Sequence, residues 1–250
     1  MDYLTFFSDT WVHEYVDFER PYPSRWAIVE LIFEHPHQQI GQYEDETLDP
    51  PTPSYSQATF LCRSVREPSR EAFLRVYMQV PHLGTENASH AIRSAQAGSR
   101  THDDIEALAL FRDKRAKHLP RCLDVKETKQ DVTGLVPGGY MSYMLWEKLP
   151  GVRLDDEMFW SLDRNERDGV REAFEAAYKE LYDLGLKPLH CGLDHLLWDQ
   201  KNCTVFTMPM VLDDAWHETL FAVWELAIPP KPVKWWEADW VPKGIEGWKL

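Results

Sequence analysis

The residues best suited to chemistry crowd one stretch, Leu186 to Asp214, which reads LKPLHCGLDHLLWDQKNCTVFTMPMVLDD. His190, Cys191, Asp194, His195, Asp199, Asp213 and Asp214 stand within it, with His217 just beyond. A neutral imidazole takes a proton near pH 7, and a carboxylate holds one or orients a partner. His190, Asp194 and His195 form one acid–base group, and Asp213, Asp214 and His217 a second. Imidazoles and carboxylates are also donors for transition metals. The spacing here fits no metal motif, so no metal and no cofactor are expected. Cys191 beside His190 has the makings of a thiol–imidazole pair, but neighbours along a chain rarely point together. No Gly-x-Ser-x-Gly elbow is present.

The elements around these residues follow from pattern. A helix is expected over Arg164 to Leu184: Asp163 and Glu166 make a capping box, and Val170, Phe174, Ala177, Leu181 and Leu184 recur on one face. Gly185 stops it. A short apolar strand (Leu196 to Trp198), a polar turn (Asp199 to Asn202) and a second strand (Cys203 to Leu212) follow. His217 to Ala227 reads as a last helix, and the Trp- and Pro-rich tail as a wrap over the core. Earlier, residues 1 to 25 read as a short helix and an arm, and Trp26 to Glu34 as a strand or a helix. Residues 44 to 55 form an acidic, Pro-rich linker. Ala58 to Val65 and Glu71 to Val80 make a hairpin. His82 to Ser99 is a loop or weak helix, and Thr101 to Leu110 is a helix. Pro120 to Val125 and Gly139 to Glu147 are strands.

The chain has 250 residues and a formal net charge of −14. That length allows one two-lobed domain or two small ones. The charge argues against nucleic acid and anionic membrane as partners. No apolar run reaches the ~20 residues that span a bilayer, and an acid stands where a signal peptide would be basic. Four scattered cysteines read as free thiols in a reducing compartment, the cytoplasm. Five of the 11 Trp residues fall after residue 223.

Four stretches, AFLRVYMQVP (72–81), VPGGY (136–140), LPGVRL (149–154) and LLWD (196–199), together with the order of elements, resemble the protein-kinase-like fold. The likeness is to its aminoglycoside phosphotransferase and choline kinase branch. More narrowly, it is to a fungal group of short, degenerate kinase-like proteins. It spans roughly residues 58 to 215. It implies an α+β, two-lobed protein-kinase-like fold: a small antiparallel-sheet N-lobe over residues 1–148 and a reduced helical C-lobe over 149–250.

Carried over residue by residue, the phosphate-gripping strand lysine falls at Arg75 and its helix glutamate partner at Glu106. A planar guanidinium holds phosphate differently from an ammonium. The hinge falls at Leu145 to Leu149, making Trp146 and Glu147 ligand contacts. His190 takes the place of the catalytic Asp and His195 that of the metal-holding Asn. Imidazole suits magnesium poorly. The second metal acid falls on Met208; Asp213 comes later and needs a longer hairpin to reach the cleft. A shifted register would make Asp194 the base and Asp199 a metal ligand, at the cost of burying Gln200, Lys201 and Asn202. No Gly-rich phosphate loop is present.

The resemblance therefore implies a kinase-like scaffold that has lost phosphotransfer. The first reading is an interlobe cleft repurposed to bind a small organic molecule and to isomerise or cyclise it without ATP or metal, in fungal specialised metabolism. His190, Asp194, His195 and Asp213 would be its catalytic groups. The second is a non-enzymatic pseudokinase scaffold for protein partners. The third is residual phosphotransfer through Asp213 and His190.

Overall fold

A computed structural model describes residues 5–7, 9–19, 22–40, 52–110, 116–188, 191–207, 209–211, 216–230 and 244–250. His190 and Asp213 lie outside these residues. The chain divides into two compact units, Met1–Ile105 with Cys122–Lys148, and Glu106–Arg121 with Leu149–Leu250. The sequence reading had placed the 106–121 segment in the first.

The first unit is an antiparallel sheet. Its strands are β1 (Tyr15–Phe18), β2 (Ser24–His37), β3 (Tyr55–Ser64), β4 (Glu71–Gln79), β5 (Cys122–Lys129) and β6 (Tyr140–Glu147), in the order β1-β2-β3-β4-β6-β5. The helices α1 (His90–Ala95) and α2 (Asp103–Leu110) come between β4 and β5. Alternation along the strands sorts the side chains by face. Ala58, Phe60, Leu74, Val76, Met78, Tyr143 and Leu145 build an apolar core on one face. The N-terminal segment closes that core: Phe7 meets Phe60 edge-on and Trp11 stacks on it. The Glu34 carboxylate pins this segment by accepting from Phe6 N at 2.6 Å and Phe7 N at 3.2 Å. The sheet curls until β1 and β5, its outer strands, approach each other, and Lys126 Nζ reaches Asp17 O at 3.2 Å.

One expectation is corrected here and one open alternative is resolved. The arm of residues 1 to 25 contributes β1, a four-residue strand after a 3-10 turn at Asp9–Trp11. The ambiguous Trp26 to Glu34 run is the middle of β2.

The second unit has β7 (Val152–Arg153), α3 (Asp156–Ser161), α4 (Arg164–Asp183), β8 (Leu186–Pro188), β9 (Leu197–Asp199), β10 (Thr204–Phe206), β11 (Pro209–Val211) and α5 (Leu220–Val223). The capping box at Asp163 and Glu166 starts α4, which buries Val170, Phe174, Ala177, Tyr178 and Leu181. Buried Arg171 in α4 donates from Nε to Leu226 O at 2.7 Å and from Nη1 to Asp168 at 2.6 Å. That fixes the chain after α5 against α4. Ile245, Trp248 and Leu250 pack onto the same core as Trp224, so the described part of the tail does cover it. Gly151, at φ +113°, lets the chain pass the backbone of Trp198; a Cβ there would lie 2.5 Å from the Trp198 carbonyl oxygen.

The expected strand Cys203 to Leu212 is two short ones with different partners. β10 pairs with β9, whereas β11 pairs with β8. The expected helix His217 to Ala227 shrinks to the single turn of α5, because Glu225 takes φ +58°. Leu226 N and Ala227 N then both donate to Phe221 O. No helix among the described residues is long and apolar enough to cross a membrane.

One clamp in this unit titrates. The Glu180 carboxylate accepts from Lys117 N, His118 N and His118 Nδ1 at 2.8 to 2.9 Å. Burial pushes its pKa up, but these hydrogen bonds outweigh burial and leave it below its ordinary value. A depressed carboxylate stabilises the fold above its unfolded pKa and loses that contribution as pH falls through the folded one. Glu180→Gln should therefore cost about 1.5–3 kcal/mol at pH 7. The difference from wild type should narrow in denaturant titrations as pH falls and the folded-state carboxylate takes up its proton.

Candidate functional site

On the second face of the first unit's sheet, the strands carry polar side chains that are nonetheless buried. Thr59, Arg75, Tyr77, Gln79 and Ser142 project here, and α2 supplies Asp104. Arg75 Nη1 donates to Asp104 Oδ2 at 2.5 Å, and Tyr77 Oη donates to the same oxygen at 2.7 Å. Arg75 Nε leans towards Thr59 Oγ1 at 3.4 Å, and the guanidinium lies 5.1 Å from the ring centre of Trp146. Only 9% of Arg75 is exposed. Burial alone would lower its pKa; the Tyr77 and Asp104 oxygens reverse that and keep it charged. Burial also pushes the Tyr77 phenol far up, so it stays a donor.

The helix partner of Arg75 is thus Asp104, not Glu106. Residues two apart on a helix lie about 200° apart around its axis, so only one of them can face the sheet. Glu106 is exposed. Of the other expected ligand contacts, Trp146 is buried beside Arg75 and Phe73, and Glu147 is half-buried at the end of β6.

His102, just before α2, extends the network through its ring. It stacks on Tyr77 with centroids 3.6 Å apart, meets Tyr55 edge-on at 4.9 Å and comes within 5.7 Å of Tyr140. Burial pushes its pKa down to about 4, so it is neutral at pH 7. The sequence reading missed Tyr77, His102 and Asp104. The signal was present: β4 alternates Phe73, Arg75, Tyr77, Gln79 against Ala72, Leu74, Val76, Met78, and a charge on a covered face needs a carboxylate partner.

In the second unit, Asp194 and His195 sit in a 3-10 turn at Leu193–His195, and both are exposed. Asp194 pairs with Arg153 at 3.1 Å, a surface contact with little energetic weight. The strand that follows begins at Leu197 rather than Leu196. Buried Asp199 ends it and holds its own turn, accepting from Asn202 Nδ2 at 2.6 Å and Asn202 N at 3.3 Å. Gln200, Lys201 and Asn202 are exposed in that turn, so the shifted register, which needs them buried, does not form. Among the described residues, no group of three or more His, Cys, Asp or Glu side chains is placed to hold a metal ion.

No protein-family model matches the chain, and no curated protein matches it. Solved structures similar to it include the kinase PK-1 of the Cydia pomonella granulovirus. The TM-score is 0.40 at 11% identity, over 77% of this chain and 55% of that one. Vaccinia related kinase 3 gives 0.37 at 9% identity, over 83% and 51%. Both neighbours are described as kinases, and this chain spans about half the length of each.

Proposed function

We propose that this chain is a kinase-like protein that binds a small organic molecule and does not transfer phosphate. The observation that carries the reading is the burial of Arg75. At the position that the sequence likeness gives to a phosphate-gripping lysine, the cation is enclosed by Asp104, Tyr77 and Trp146. A phosphate oxygen would have to displace a buried, charge-assisted hydrogen bond to reach it. Phosphoryl transfer depends almost wholly on placed charge. His195, where that likeness puts a metal-holding Asn, presents an imidazole, and Asp199 is committed to its turn. Acid–base conversion of the bound molecule, by His190, Asp194, His195 and Asp213, belongs to the same reading and needs neither ATP nor metal.

The test is a thermal-denaturation series with magnesium and ATP. Saturating nucleotide would raise the midpoint by mass action. The expected result at millimolar Mg-ATP is no rise over Mg-chloride at equal ionic strength. A saturable rise of several degrees would overturn the proposal.

A further inference from the structure

We propose that a groove on the polar side of the first unit's sheet is a binding site for a small organic carboxylate. It goes beyond the reading given above, because none of the acid–base residues named there is among the described residues that line this groove. The groove holds about 560 Å³. Its walls include Arg100 and Thr101 from the segment before α2, Glu127 and Lys129 from β5, and Tyr140 and Ser142 from β6.

Among the described residues, two buried polar atoms lack hydrogen-bond partners: the hydroxyl of Tyr140, a residue of the groove wall, and Nε2 of His102, whose ring neighbours Tyr140 but does not itself line the groove. Tyr140 and His102 are each 7% exposed. Buried polar groups are normally satisfied, and an orphan in a pocket wall is the mark of a missing partner. A cation stands beside them. The Arg100 guanidinium lies 4.7 Å from the ring centre of Tyr55, and among the described residues it has no carboxylate partner. Lys129 is the strand neighbour of Tyr140, so the two side chains share a face.

The wall is held in place before any ligand arrives. Gln79 donates from Nε2 to Gln96 O at 2.6 Å and accepts from Gly98 N at 3.0 Å. Gln130 Nε2 in turn donates to Gln79 O at 2.7 Å. Such preorganisation lowers the cost of binding.

The donor set selects the ligand class. A planar guanidinium fork and a neutral phenol suit the two oxygens of a carboxylate. Glu127 on the same wall, and a chain of net charge −14, disfavour a phosphate dianion.

The experiment titrates the full chain with sodium benzoate, sodium acetate, sodium phosphate and sodium chloride at matched ionic strength, read by melting temperature and by NMR shifts. Benzoate should give a saturable response that phosphate and chloride do not. Arg100→Gln should abolish it. Tyr140→Phe should leave the free protein at least as stable, because no bond is lost, and weaken benzoate about tenfold. Three results would each overturn the site: no saturable carboxylate response, equal responses to phosphate and benzoate, or an undiminished response in Arg100→Gln. Destabilisation by Tyr140→Phe would show the hydroxyl to be internally paired and would also overturn it. Mg-ATP in the same assay reports separately on the absence of phosphate binding.

Discussion

Asp104→Asn is expected to cost about 3–5 kcal/mol, a large share of the stability of a domain this size. The substitution preserves shape and removes the charge that the buried Arg75 guanidinium faces at 2.5 Å. What remains is a desolvated cation that faces a neutral amide, with Tyr77, Thr59 and the Trp146 ring nearby. Arg75→Met alone should also destabilise, because it strands the carboxylate. The double variant Arg75→Met/Asp104→Leu should recover most of the loss, since a buried pair exchanged for apolar side chains of similar volume is often neutral or better. Denaturant titration of the four proteins closes a double-mutant cycle, with an expected coupling of about 2–3 kcal/mol. Additive single effects would show that the two side chains do not depend on each other. The phosphate-handling consequence is separate: Arg75→Met should leave the flat Mg-ATP response unchanged, because the cation is already enclosed.

The second large effect is acid sensitivity above the range where carboxylates titrate. His102 is buried among Tyr55, Tyr77 and Tyr140, and burial holds its pKa at about 4 against an ordinary 6.5. Asp104 nearby opposes that shift, while Arg100, His37 and Arg75 add to it. In the unfolded chain the same imidazole takes a proton below about pH 6.5. Between those two values the unfolded state binds more protons than the folded one, so stability falls as pH falls. The contribution is fully present above pH 6.5 and is lost by pH 4, a change of about 3 kcal/mol. Burial also lowers His37 and His82, so both push in the same direction. Urea titrations at pH 7.5, 6, 5 and 4 should show the decline. His102→Phe keeps the stacked ring without the proton and should flatten most of it; an unchanged slope would clear His102 of the effect. The Glu180 clamp acts lower, which separates the two groups on one pH axis.

Local signals were legible where they were redundant. The α4 helix combined a capping box at Asp163 and Glu166 with a continuous apolar face, and it forms one residue short of the expected end. Strands β3, β4 and β6 were legible from their apolar content and turn residues. β1 was not, because Tyr15–Phe18 gives only two alternations in an aromatic, acidic context. The last helix was overestimated, because nothing in HETLFAVWELA (217–227) announces that Glu225 will turn left-handed. The carboxylate partner of Arg75 was placed two residues late, on Glu106. Asp103, Asp104 and Glu106 are all acids, and only the phase of α2 against the sheet chooses among them. Tyr140 and Arg100 escaped notice for a different reason: a hydroxyl without a partner exists only once packing has enclosed it.

The curl of the first unit's sheet has a consequence for self-association. A strand at a sheet border offers a row of free amides and carbonyls to any extended peptide. Here the two borders lean towards one another, with a Lys126 ammonium resting on the Asp17 carbonyl between them. A foreign strand seeking to lengthen the sheet from either side meets the opposite border and a charged lysine in the way. The short β1 therefore guards this unit against templated stacking, a service its four residues would not suggest.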